Sequence, residues 1–189
     1  MKKQLLKSVL FLFGASALLL TSCKKDDHDH DDEEVITTMR LTFSPTTGGG
    51  TPVTFQYDDP DGPGGANPTQ EQITLAPNTV YNVSLQLLNK TKNPVADVTT
   101  EVQAESQAHR FYYEPSAGSN ITVSDLSMDA AGLPLGITSR WTTTAAATGT
   151  MKVTLRHYGG NPPNKAANDP VNSSKSSTDI EVNFTTRIQ

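Results

Sequence analysis

The chain has 189 residues, with 15 lysines and arginines against 20 aspartates and glutamates and a formal net charge of −5. That length holds one globular domain once a leader is set aside, and an acidic balance excludes a nucleic-acid partner and a polybasic membrane contact. A single cysteine leaves no disulfide, so the fold has to be held by packing.

The first 34 residues concern address rather than chemistry. Lys2, Lys3 and Lys7 precede an apolar run from Val9 to Leu20, interrupted only by Gly14 and Ser16. A basic start followed by a short apolar run is a secretory signal pattern, too short and wrongly flanked for a membrane-spanning helix. It closes on Leu20-Thr21-Ser22-Cys23, which resembles a bacterial lipobox. The resemblance implies that residues 1–22 are a signal peptide removed before Cys23, whose thiol then carries the lipid (diacylglycerol, palmitate-type chains). Each buried methylene contributes roughly 0.8 kcal/mol, so two or three acyl chains anchor a protein without a spanning helix.

Behind the anchor stand Lys24, Lys25, Asp26, Asp27, His28, Asp29, His30, Asp31, Asp32, Glu33 and Glu34. Like charges at this density bury no apolar surface and extend the chain, so residues 23–34 read as an acylated cysteine and a solvated tether. Lys25-Asp26-Asp27 resembles the short export signal of Bacteroidetes lipoproteins and implies display on the outer face of the outer membrane, the periplasmic face being the alternative. His28 and His30 among carboxylates also offer ligands that zinc or copper accepts, without fixed geometry.

From residue 35 to 189 the chain is rich in Thr, Val and Ile, punctuated by Gly and Pro, with apolar residues alternating with polar ones. That pattern predicts an all-β domain, an antiparallel β-sandwich of immunoglobulin-like or related topology. Met39, Leu41 and Phe43 share one face of the first strand, and Val53, Phe55 and Tyr57 one face of its hairpin partner. Asp58, Asp59 and Asp61 follow in a Pro- and Gly-rich loop; they are weak candidates for calcium, because the same residues serve any tight turn. Ile73 and Leu75, then Tyr81, Val83, Leu85 and Leu87, mark two more strands.

The period then changes: Val98 and Val102 stand four apart, and Asp97 is placed to cap the domain's one short helix, near 97–107. Strands return at Arg110–Tyr113, where one of Tyr112 and Tyr113 should face out, and at Ile121–Leu126. A further face carries Leu135, Ile137, Ser139 and Trp141, with Trp141 a core aromatic rather than a binding platform. Met151, Val153, Leu155 and His157 share a face, as do Ile180, Val182, Phe184, Thr186 and Ile188. Between those two strands lies a polar stretch from Tyr158 to Thr178, long enough to be functional or disordered.

No nucleophile elbow, phosphate loop, dinucleotide glycine pattern or H-E-x-x-H occurs, so a non-catalytic binding module is expected, not an enzyme. His109 and His157 are the domain's two histidines, each at a strand end. If those ends meet, two imidazoles could share a zinc or copper ion with a carboxylate such as Glu114 or Asp179. If they do not, each simply caps its strand or the helix.

TFQYDDPDGPGG, VYNVSLQLLN, HRFYY, TGTMKVTLRH and TDIEVNF, together with the lipobox and the acidic leader, resemble a group of small Bacteroidetes outer-membrane lipoproteins. The resemblance spans most of the domain, and such proteins look like accessory lipoproteins of TonB-dependent receptors. It implies capture or hand-over of a scarce nutrient such as a metal or metal complex, with His28, His30, His109 and His157 as the residues concerned. The alternative is a structural, adhesive or carbohydrate-binding surface module.

Overall fold

Alternating side chains build two sheets, which a computed structural model describes over residues 34–62 and 64–189. The strands are β1 (Thr38–Pro45), β2 (Val53–Asp58), β3 (Thr69–Gln70), β4 (Ile73–Leu75), β5 (Val80–Asn89), β6 (Ala96–Asp97), β7 (His109–Pro115), β8 (Ile121–Ser124), β9 (Thr138–Thr143), β10 (Ala147–Tyr158) and β11 (Ser176–Ile188). One helix, α1 (Val98–Ala104), lies between β6 and β7. The first sheet runs β3-β2-β1-β5-β9-β8, with β6 also on β5; the second runs β4-β11-β10-β7. The arrangement is β-sandwich-like, as the alternation predicts.

The core lies between the sheets because each strand turns one face inward. Met39, Leu41, Phe43 and Leu85 from the first sheet meet Val153, Leu155, Val182 and Phe184 from the second in one buried cluster. Trp141 is fully buried, edge-on to Phe43 at 5.1 Å and to Tyr113 of the opposite sheet at 5.8 Å. Its indole N–H donates to Ser139 Oγ at 2.9 Å, which removes the cost of burying it. On the outer face of β1, Arg40 bonds Gln56 and Thr42 bonds Thr54 across the β1–β2 pair.

Three details refine the expected picture. The pairing is not antiparallel throughout, since β4 lies parallel to β11 with Ile73 beside Thr186 and Leu75 beside Ile188. Alternation reports which face a strand buries, not its neighbour's direction, and no hairpin constrains this three-residue strand. Next, α1 stops at Ala104 rather than near 107: Asp97 caps it through Thr99 N–H, Val98 and Val102 are buried, and a turn closed by Ala108 N–H on Glu105 O redirects the chain into β7. Finally, neither tyrosine of the pair is exposed. Tyr113 packs on Trp141 and donates to Gly136 O, whereas Tyr112 donates to Asp169 O and accepts from Tyr158 under the long loop.

That loop, between β10 and β11, has no regular structure and is held by cations satisfied on backbone carbonyls. Lys165 Nζ donates to Ser106 O (2.6 Å) and His109 O (2.8 Å) and lies 2.7 Å from Asp129 Oδ2, the two side chains buried together. Arg110, stacked 4.4 Å over the Tyr112 ring, donates to Ala166 and Ala167 O. Arg156 donates to Ser173 O and Ser176 Oγ. Removing one partner of a buried ion pair strands the other. Lys165→Met is therefore expected to lower the unfolding free energy by about 3 kcal/mol. Adding Asp129→Asn, which keeps the acceptor used by the Ala131 and Leu133 N–H groups, should recover much of that loss in urea unfolding.

Candidate metal centre

Backbone pairing assembles the centre. β7 and β10 are antiparallel with His109 directly opposite His157, on the inward face they share with Phe111 and Leu155. The two rings stand 4.5 Å apart, centroid to centroid. On the other side of β10 the ladder with β11 runs Leu155 to Ile180 and then Arg156 to Thr178, so Asp179 is the extra residue of a β-bulge. Strict alternation would send Asp179 to the face opposite Ile180. A bulge re-aims its side chain. The carboxylate turns toward the histidines, with Oδ2 3.7 Å from His109 Nε2 and Oδ1 4.0 Å from His157 Nδ1.

His109 is wholly buried. Its Nδ1 lies 3.1 Å from the carbonyl oxygen of Glu105, which can only accept, so Nδ1 carries the proton and Nε2 presents a lone pair. Among the described residues Nε2 has no hydrogen-bond partner, and it faces Glu34 Oε1 at 3.7 Å as well as Asp179. Two sets of ligand atoms result, each within 4.8 Å of one another: Glu34, His109 and Asp179, and Glu105, His109 and His157. Either set could in principle coordinate a metal ion.

The electrostatics follow from burial. Desolvation, then the charges of Asp179, Glu101 and Glu105, push the Glu34 carboxyl up to about 7. Desolvation and the neighbouring His157 bring His109 down to about 4 against the opposing bond to Glu105 O. At neutral pH His109 is thus a neutral imidazole, the form that binds a metal.

No family model, no curated protein and no solved structure matches the chain.

Of the residues singled out in the sequence, His109, His157 and Asp179 come together. Glu114 does not, being paired with Lys152 at 3.2 Å. Asp58 is committed to Lys90 (2.7 Å) and the Thr38 hydroxyl, and Asp61 accepts Ala66 N–H. Among the described residues the Asp58–Asp61 loop forms no metal-sized cluster of three ligands. Cys23, Lys25, Asp26, Asp27, His28 and His30 lie outside the described residues.

Sequence reasoning missed Glu34 and Glu105. Glu105 had a signal, its spacing four residues ahead of His109 across a helix end. Glu34 had none: it closes a run of acids read as tether, yet its side chain is only 12 % exposed.

The two shifts act oppositely on stability in metal-free protein. Glu34, raised on folding, contributes stability that is full below its unfolded value of 4.5 and is lost as pH rises through about 7. His109, depressed on folding, contributes stability present above 6.5 and lost as pH falls through about 4. Between pH 4.5 and 6.5 they offset one another. Glu34→Gln should therefore unmask a stability that rises by about 3 kcal/mol from pH 4 to 6.5. His109→Gln should unmask one that falls from pH 4.5 to 7; denaturant unfolding in chelator at stepped pH checks both, and matching profiles for the two variants would contradict the assignment.

Proposed function

We propose that this protein is a lipid-anchored, surface-displayed, non-catalytic binding module that captures a transition-metal ion of the zinc or copper class and passes it to a TonB-dependent receptor. One observation carries the metal reading: the buried Nε2 lone pair of His109 has no hydrogen-bond partner among the described residues and is aimed between the carboxylates of Glu34 and Asp179. Imidazole with carboxylate suits zinc or copper, whereas calcium takes six to eight oxygens and little nitrogen. His157, 35 % exposed, leaves the centre open on one side, as a carrier of releasable cargo requires. The lipobox, the export-like Lys25-Asp26-Asp27 and the acidic leader support the anchored setting, and His28 and His30 would offer further imidazole ligands.

The alternative, a carbohydrate-binding or adhesive surface module, has one observation in its favour. A polar groove of about 360 Å³ lies along the first sheet, lined by Asn82, Ser84, Asp125, Thr138 and Arg140 among others. It has hydrogen-bonding groups for hydroxyls but no aromatic ring to stack a sugar.

Calorimetric titration with zinc, copper and calcium separates the readings, using residues 24–189 and a form lacking residues 24–33 but keeping Glu34. Micromolar zinc or copper binding should survive loss of the leader. It should disappear in His109→Ala and weaken at least about tenfold in Asp179→Asn. Binding lost with the leader, or no binding to either form, would overturn metal capture and leave the groove.

A further inference from the structure

The two ligand sets share His109 but differ in exposure. Asp179 and Glu34 side chains are 4 % and 12 % exposed, His157 is 35 % exposed, and Glu105 is open to solvent. An ion cannot reach a wholly buried nitrogen from bulk water in one step, because it would shed its hydration shell before gaining ligands. It has to exchange waters for protein groups one at a time. The groups at the rim of His109 are Glu105 and His157.

We infer that Glu105 and His157 form an outer acceptor set, through which the ion enters and leaves an inner set of Glu34, His109 and Asp179. The inference rests on the metal-capture reading. His109 is the residue common to both sets, and with Nδ1 committed to Glu105 O, Nε2 is the nitrogen it can offer an ion. With that bond kept, the ion exchanges the Glu105 carboxylate for that of Asp179 or Glu34, one oxygen donor for another, and no step leaves it bare. The reach is short: the donors of each set lie within 4.8 Å of one another, and His157 Nδ1 is 4.0 Å from Asp179 Oδ1. The placement of Glu105 is built in, since the residue that ends α1 also holds the His109 ring by its carbonyl.

The test uses the full-length protein in detergent micelles, with His28→Ala and His30→Ala so that the leader carries no imidazole. Cobalt(II) serves as the probe, its visible absorption reporting loading in stopped flow and release into excess EDTA. In Glu105→Gln with His157→Gln, loading and release should both slow by about tenfold, with equilibrium affinity kept within about threefold, because a rim set changes the barrier and not the end states. Unchanged rates would overturn the inference while leaving metal capture standing. A loss of affinity with faster release would also overturn it, by making the pair ligands of the final site. Failure of cobalt to bind the protein with Glu105 and His157 intact would instead overturn the reading on which the inference rests.

Discussion

The register of β7 on β10 is the constraint on which the centre depends. Phe111 faces Leu155 and Tyr113 faces Val153, so the pairing that buries these side chains also sets His109 opposite His157. A slip of one residue would turn the buried set outward and the charged set inward. The histidine pair is therefore placed by apolar packing several residues away. The bulge on the other side of β10 completes it: one extra residue in β11 turns Asp179 toward the pair, while Val182 and Phe184 keep their places in the core.

Burial sets the electrostatic character of this end of the molecule. The charges of Asp179, Glu101 and Glu105 act on Glu34 there, and the nearby ammonium of Lys165 is already spent on Asp129 and two carbonyls. That ammonium nevertheless matters to the centre, because one of those carbonyls belongs to His109. The same ion pair that fastens the long loop thus fixes the start of β7. Stability and site share this element, and the loop is ordered because cations on the sheet found carbonyls within it.

The strands were legible because alternation is a local property, and Met39, Leu41, Phe43 or Met151, Val153, Leu155 announce a buried face without a partner. The direction of β4 was not legible, since it depends on which chain segment lies beside it. The centre was partly legible for the same reason. Two histidines at strand ends pointed to a meeting that only the register could decide, and Asp179 was one carboxylate of two in view. Its bulge is invisible to a period of two, and Glu34 sits in an acidic run whose composition says tether. What fixes both is a tertiary contact.

The spacing of the centre separates a proton from a metal ion as the group that would satisfy it. A proton held by Glu34 would have to reach His109 Nε2 across 3.7 Å, beyond the 2.7–3.2 Å at which hydrogen bonds to nitrogen form. The same 3.7 Å separates Nε2 from Asp179, so neither carboxyl can relieve the lone pair by sharing a proton without the fold moving. An ion bonded at about 2.0–2.2 Å to each donor needs them roughly 3.4 Å apart in a tetrahedron, a few tenths of an ångström less than the 3.7 Å from Nε2 to either carboxylate. A dication would meet the imidazole nitrogen and the two carboxylates with bonds of ordinary length. It is this mismatch with the proton, more than the presence of two histidines, that supports the metal reading.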